Sequence, residues 1–178
     1  MLRWASLWVA CVTSGVAWAA PAAAPPPATA PPAPVVVAPA LVDGPALAAH
    51  LVEPSGHVRV VNFWATWCQP CVTELPTLKA FAKAHPDVEL VLVNVDAQSS
   101  HASRVTRALT TYKLDGLHHW WLATDDPERL LKAHVPRWAS EIPFTLVIDG
   151  DGVLRDQFVD AITSAMLDRA VTAALLKP

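Results

Sequence analysis

From residue 57 onward, short unbroken apolar runs alternate with segments whose apolar residues recur every three or four positions. His57 to Phe63 (HVRVVNF) and Val88 to Val95 (VELVLVNV) are dense in β-branched and aromatic side chains, as in strands buried on both faces. Between them a helix is expected from Pro70 to Ala84, stopped by His85-Pro86. A second helix is expected from a Ser100 cap to Tyr112, then a short strand over Leu117 to Leu122. Asp125 or Asp126, standing before Pro127, caps a third. Phe144 to Asp149 and Val153 to Phe158 flank Gly150-Asp151-Gly152, a hairpin pattern. The last helix carries Leu167, Val171, Ala174 and Leu175 at helical spacing, and Asp43 caps a short helix over Pro45 to Leu51 ahead of the first strand. Strands alternating with helices, then a hairpin and a closing helix, give a three-layer α/β fold: a mixed central sheet flanked by helices.

The first forty residues do not fit this pattern. Met1-Leu2-Arg3 supplies one positive charge, an apolar stretch runs from Ala5 to Ala19, and Ala17-Trp18-Ala19 is a small-x-small site. Residues 1–19 are therefore expected to be a signal peptide cut after Ala19, in preference to an uncleaved anchor over residues 4–24. A lipid-modified Cys11 is disfavoured by Trp8, where a small aliphatic residue is expected. Each of these readings exports the rest of the chain. Residues 20–39 contain only Ala, Pro, Thr and Val, too little to build a core, and an extended chain of that composition spans roughly 60 Å at about 3.1 Å per residue. Residues 20–40 are thus a linker and 41–178 a single domain; Val35-Val36-Val37 is at most an edge strand, bracketed by Pro34 and Pro39.

A net charge of −3 leaves no basic footprint for nucleic acid. Three cysteines are too few for a disulfide framework, and only Cys68 and Cys71 fall in the domain. A staple across so short a loop contributes only about 2 kcal/mol. A zinc site needs a second pair of ligands; His118 and His119 are adjacent and the other histidines scattered, so no metal ligands are assigned. Redox chemistry fits better. The pair falls where a buried strand gives way to a helix, and the unpaired N–H groups of a first turn favour a thiolate at Cys68. Cys71, one turn on, points to the core with Leu75, Leu78 and Ala82. The exposed cysteine would then attack and the covered one resolve. Pro70 suits a first helical turn. Glu74 shares a helix face with Cys71, where burial would raise its pKa and let it pass a proton.

FWATWCQPC, with Pro76 five residues beyond the second cysteine, resembles the active site of the thioredoxin-like fold, and specifically the TlpA/ResA branch of exported thiol–disulfide oxidoreductases. In that branch an asparagine, here Asn62, stands where cytosolic thioredoxin buries an aspartate, and the acid follows the second cysteine, here Glu74. The resemblance also implies a cis-proline facing the cysteines, Pro143, with the backbone of Ile142 exposed to pair with a substrate strand. Trp67, Gln69 and Pro70 would border the same cleft, and Gln69-Pro70 resembles the reducing members. Two departures stand out: Phe144 separates Pro143 from Thr145, where family members often read Pro-Thr, and HVPRWASEIP is a long link. Arg137, Trp138 and Glu141 are placed there to shape a partner surface of this chain's own.

The expectation is an exported, periplasmic disulfide reductase with catalytic Cys68, Cys71, Glu74 and Pro143 and supporting Asn62, needing no cofactor beyond the Cys68–Cys71 couple. Clients would be proteins with cysteine pairs, such as apocytochrome c, copper-site proteins or other envelope proteins, and a membrane thiol donor would restore the dithiol. The alternatives are a net oxidant or isomerase, or a copper metallochaperone using the same cysteines. Elsewhere, Trp64 is expected in the core, His118-His119-Trp120-Trp121 in a mostly buried strand, Asp96 in a loop or cap role, and Asp149-Gly150-Asp151-Gly152 in a turn rather than a calcium loop.

Overall fold

The computed structural model describes residues 39–176 except residue 115. The expected leader, most of the linker and Val35–Val37 lie outside the described residues. In chain order the elements are β1 (Ala40–Val42), α1 (Gly44–Val52), β2 (Arg59–Trp64), α2 (Gln69–Ala84), β3 (Glu89–Asn94), α3 (Gln98–Thr111), β4 (His118–Leu122), α4 (Pro127–His134), β5 (Phe144–Ile148), β6 (Leu154–Val159) and α5 (Ser164–Leu175).

The strands form one mixed sheet in the order β1-β4-β3-β2-β5-β6. β1, β4, β3 and β2 run parallel, while β5 is antiparallel to β2 and β6 to β5. The β2-α2-β3 and β3-α3-β4 crossovers step one way across the sheet and β1-α1-β2 steps the other. Right-handed connections therefore put α2 and α3 on one face and α1 on the opposite one. α4 packs against α1, and α5 against α2. Every residue of β2 and β5 is buried, which explains their unbroken apolar runs. Leu47 and Leu51 of α1 fill the core on one side, Leu75 and Leu78 of α2 on the other, and Trp64 is in the core as expected.

Local chemistry explains most boundaries. Asp43 Oδ1 accepts the Ala46 N–H at 2.8 Å, and Asp126 Oδ1 accepts that of Arg129 at 3.1 Å, so of the two candidate aspartates Asp126 is the cap of α4. Ser100 is not the cap of α3: the helix begins at Gln98 with Ala97 before it. Its first-turn acceptor comes from another part of the chain, since Asp125 Oδ1 takes the Ser99 N–H at 2.8 Å. The Asp125 carboxyl lies below its usual range chiefly because of that N–H. Leu175 is also corrected: Leu167, Val171 and Ala174 are buried, but Leu175, the last residue of α5, is 57% exposed.

β1 has no counterpart among the expected elements. Its three residues pair in register with Trp120, Trp121 and Leu122, covering the outer edge of β4. Within β4, Trp121 and Leu122 are buried, while His118 is exposed and its Nδ1 lies 3.2 Å from Glu89 Oε1. Arg59 Nε and His57 Nε2 reach the other oxygen of Glu89 at 3.0 and 3.1 Å. Burial pushes the Glu89 carboxyl up, but these cationic and imidazole partners outweigh it and hold the group below its usual range.

The β5–β6 turn is closed by its own aspartate. Asp149 Oδ1 accepts the N–H groups of Asp151 and Val153, and Oδ2 accepts Arg155 Nε at 2.6 Å, so both oxygens serve the hairpin. Gly152 has φ +81°, and a Cβ there would collide with the Val52 carbonyl oxygen. Gly152→Ala is expected to cost about 3 kcal/mol, from a strained backbone plus a clash with main chain that has nowhere to move. A urea titration would show this as a lower midpoint with an unchanged slope.

Candidate active site

β2 ends at Trp64, and the chain turns through Ala65-Thr66-Trp67 to deliver Cys68 as the cap of α2. The turn is held at its middle. Thr66 donates its N–H to Asp96 Oδ2 and its hydroxyl to Asp96 Oδ1, both at 2.8 Å, and the Cys68 N–H closes on the Ala65 carbonyl at 3.2 Å. Asp96 is completely buried just past β3. It also accepts Asn94 Nδ2 at 2.8 Å, and its own carbonyl takes the Trp121 indole N–H at 2.7 Å. The loop role expected for Asp96 is thus the anchoring of the turn before Cys68. Asp96→Ala would strand the Thr66 and Asn94 donors, and is expected to cost roughly 3 kcal/mol and to loosen the turn. The checks are the urea midpoint and amide exchange at Thr66, which should speed up.

Cys68 and Cys71 are joined by a disulfide. The Cys71 N–H points at Cys68 Sγ, 3.2 Å away, so the sulfur accepts one of the unpaired donors of the helix start. Cys71 is fully buried as expected. An open Cys68 is not found: it is only 5% exposed. The Ile142–Pro143 peptide is cis, as the resemblance implies, and places the Ile142 carbonyl oxygen 3.7 Å from Cys68 Sγ, covering it. Trp67 is 61% exposed at the rim, and Gln69 and Pro70 are exposed beside it.

About one helical turn on from Cys71, Glu74 enters a buried polar cluster. Glu74, 4% exposed, accepts Asn62 Nδ2 on Oε1 at 2.8 Å and the Ile162 N–H on Oε2 at 2.9 Å. Asn62 also donates to Thr145 Oγ1 at 3.0 Å, its register partner on β5. Asn62 Oδ1 is buried with no hydrogen-bond partner among the described residues. Burial pushes the Glu74 carboxyl above its usual range, and the Ile162 and Asn62 donors offset only part of that.

The long link before Pro143 is tied to the core at one residue. Trp138 is half-buried, set edge-on against Phe144 at 5.2 Å and Phe63 at 5.7 Å, with its indole N–H on Glu128 Oε2 at 2.9 Å. It is a peg holding the link to the core, whereas Arg137 and Glu141 are exposed. Thr66, Thr145 and the Ile162 N–H belong to the site without having been expected there. The partners of Thr66 and the Ile162 N–H, Asp96 and Glu74, lie 30 and 88 residues away in sequence, beyond any local pattern.

Fold and site together define a thioredoxin-like protein with a Cys-x-x-Cys disulfide at the head of its second helix. The sequence model of the AhpC/TSA family matches residues 33–158, more than half of the chain, and the chain belongs to that family. It is similar to the thioredoxin-like protein YneN of Bacillus subtilis, with 27% identity over 120 residues, 67% of this chain and 66% of that protein. It is also similar to the thiol-disulfide oxidoreductase ResA of Bacillus thuringiensis, with 23% identity over 118 residues, 66% of this chain and 64% of that protein. The chain thus spans slightly under two thirds of the length of these curated relatives. Among solved structures, a thioredoxin-family thiol:disulfide interchange protein from Chlorobium tepidum superposes with a TM-score of 0.56 at 27% identity, covering 72% of this chain and 84% of that one. StoA from Bacillus subtilis gives 0.51 at 26%, covering 65% and 83%.

Proposed function

We propose that the chain is an exported thiol–disulfide oxidoreductase that reduces disulfides of envelope client proteins. The observation that carries this reading is Cys68 Sγ held on the Cys71 N–H at the start of α2, with Cys71 itself buried one turn behind. That donor and the positive end of the helix dipole stabilise negative charge on Cys68. In the dithiol state the Cys68 thiolate attacks a client sulfur, forming a mixed disulfide and releasing the client's other sulfur as a thiolate. Cys71 then gives up its proton and attacks Cys68. The Cys68–Cys71 bond forms, the second client thiol leaves, and two electrons have passed to the client. Glu74, one turn on from Cys71, takes and returns the proton. Asn62 holds Glu74, Pro143 and Ile142 present a backbone edge to the client, and Trp67, Gln69 and Pro70 border its path. A membrane thiol donor returns the disulfide to the dithiol state. The names of ResA and of the thiol:disulfide interchange protein CycY of Rhizobium leguminosarum, 29% identical over 134 residues, support this assignment. The export pattern of residues 1–19 supports a periplasmic site, with apocytochrome c, copper-site or other cysteine-pair proteins as the client class.

The test is a redox titration of the full chain in dithiothreitol and glutathione buffers, followed by tryptophan fluorescence. A reversible two-electron transition below about −200 mV is expected of a reductase. A midpoint near about −120 mV would assign net oxidation instead, and the lack of any reversible couple would remove the redox function altogether.

A further inference from the structure

A groove of about 310 Å³ runs between the start of α2 and the outer side of α3, lined by Thr66, Gln69, Arg104, Arg107 and Tyr112 among others. Thr66 and Gln69 flank Cys68 in the chain, so one end of the groove lies against the turn that carries Cys68, whose sulfur itself faces the Ile142 carbonyl. Arg104 and Arg107 stand three residues apart on α3, which places them on one helix face, and both are exposed. Neither takes part in an ion pair among the described residues. Residues 98–111 contain no acid, and the Asp96 carboxylate that precedes them is spent on Thr66 and Asn94. This is a cationic wall on a chain whose net charge is −3. The first-turn N–H groups of α2 add partial positive charge at the opposite wall. Two guanidinium forks at this spacing match carboxylates, which they bind in pairs of parallel hydrogen bonds.

We propose that this groove docks an acidic segment of the disulfide-bearing client, whose carboxylates pair with Arg104 and Arg107 while its neighbouring cysteine meets Cys68. The proposal rests on the redox reading above and names the client's recognition feature: acidic residues adjoining the cysteine that is attacked. Exposed charges act here mainly by steering and orienting, so the preference weakens as salt rises.

The experiment uses the full chain and two disulfide-bonded peptides, identical except that one carries glutamates beside a cysteine where the other carries lysines. Dithiothreitol, which is uncharged, serves as donor, so peptide charge enters only at the client step. The wild-type chain is expected to favour the acidic peptide by about tenfold in kcat/KM at low ionic strength, less in high salt. R104E/R107E should abolish or invert that preference while reducing the neutral 2-hydroxyethyl disulfide as fast as wild type. The milder R104Q/R107Q pair answers the same question if charge reversal unfolds the helix. Anisotropy of labelled peptides with serine in place of cysteine reads docking without any redox step. No preference in the wild type, or one that survives both double variants, overturns the proposal. So does tighter, arginine-dependent binding to vesicles of anionic phospholipid than to the acidic peptide. Failure of the wild type to reduce the neutral disulfide overturns the redox reading instead, and the anisotropy still decides whether acidic segments bind.

Discussion

Cys68→Ser is expected to lower reduction of a client disulfide by more than about 10³-fold, because the hydroxyl cannot replace a thiolate as the attacking group. Cys71→Ser should lose multiple turnover just as completely but fail at a different step. Its Cys68 still attacks, nothing resolves the product, and the client remains bonded to the protein. Intact-mass measurement should find the adduct with Cys71→Ser, absent with Cys68→Ser and released by dithiothreitol. An adduct on Cys68→Ser alone would reverse the two roles, and full turnover by Cys68→Ser would remove the dithiol mechanism. The burial of the two residues points to the expected order. Cys71 is fully enclosed by the core, whereas Cys68 is covered at the cleft by the Ile142 carbonyl. A client strand pairing along that backbone has its disulfide brought to Cys68 and never to Cys71. Fold stability should change little in either variant when compared with the reduced protein, which separates loss of chemistry from loss of structure.

The strands were legible because a sheet covered on both faces needs β-branched and aromatic runs, and HVRVVNF, VELVLVNV and FTLVI are such runs. The dithiol was legible because its spacing and its place at the head of a helix are local properties. What escaped depends on partners distant in sequence. β1 is three residues long and gains its hydrogen bonds only from β4, some eighty residues away, so it has no periodicity of its own. The start of α3 is fixed by a carboxylate 26 residues downstream, not by a serine of its own. The length of the link drew Trp138 into an expected partner surface with Arg137 and Glu141; its half-burial comes from Phe63 and Phe144 on two central strands, which no local pattern shows. Asp96 could be placed at a strand end but not against Thr66. Glu74 was legible as Cys71's neighbour on one helix face, and it is buried as that reading expected.

That burial yields the second prediction. A Glu74 carboxyl held above its usual range keeps its proton at pH values where the unfolded chain has released it. The native state then binds more protons than the unfolded state, so stability falls as pH rises from the ordinary glutamate pKa through the raised one. Glu74→Gln keeps the shape and the Ile162 N–H acceptor, removes the titration, and should flatten that stretch of the stability–pH curve. Asn62 serves both charge states: its Nδ2 bonds the carboxylate, and its Oδ1, unpartnered among the described residues, can accept the acid's O–H after an amide rotation. The kinetic counterpart lies in resolution, where Cys71 must lose a proton inside the core, out of reach of water. With no base for Cys71, Glu74→Gln should slow release of the mixed disulfide roughly 10²-fold near neutral pH, while attack by Cys68, which lies at the cleft under the Ile142 carbonyl, is little changed. Stopped-flow separation of the two steps decides the matter. An unchanged release rate would leave Glu74 as a buried strut, whereas a selective loss that shrinks at alkaline pH identifies it as the base for Cys71.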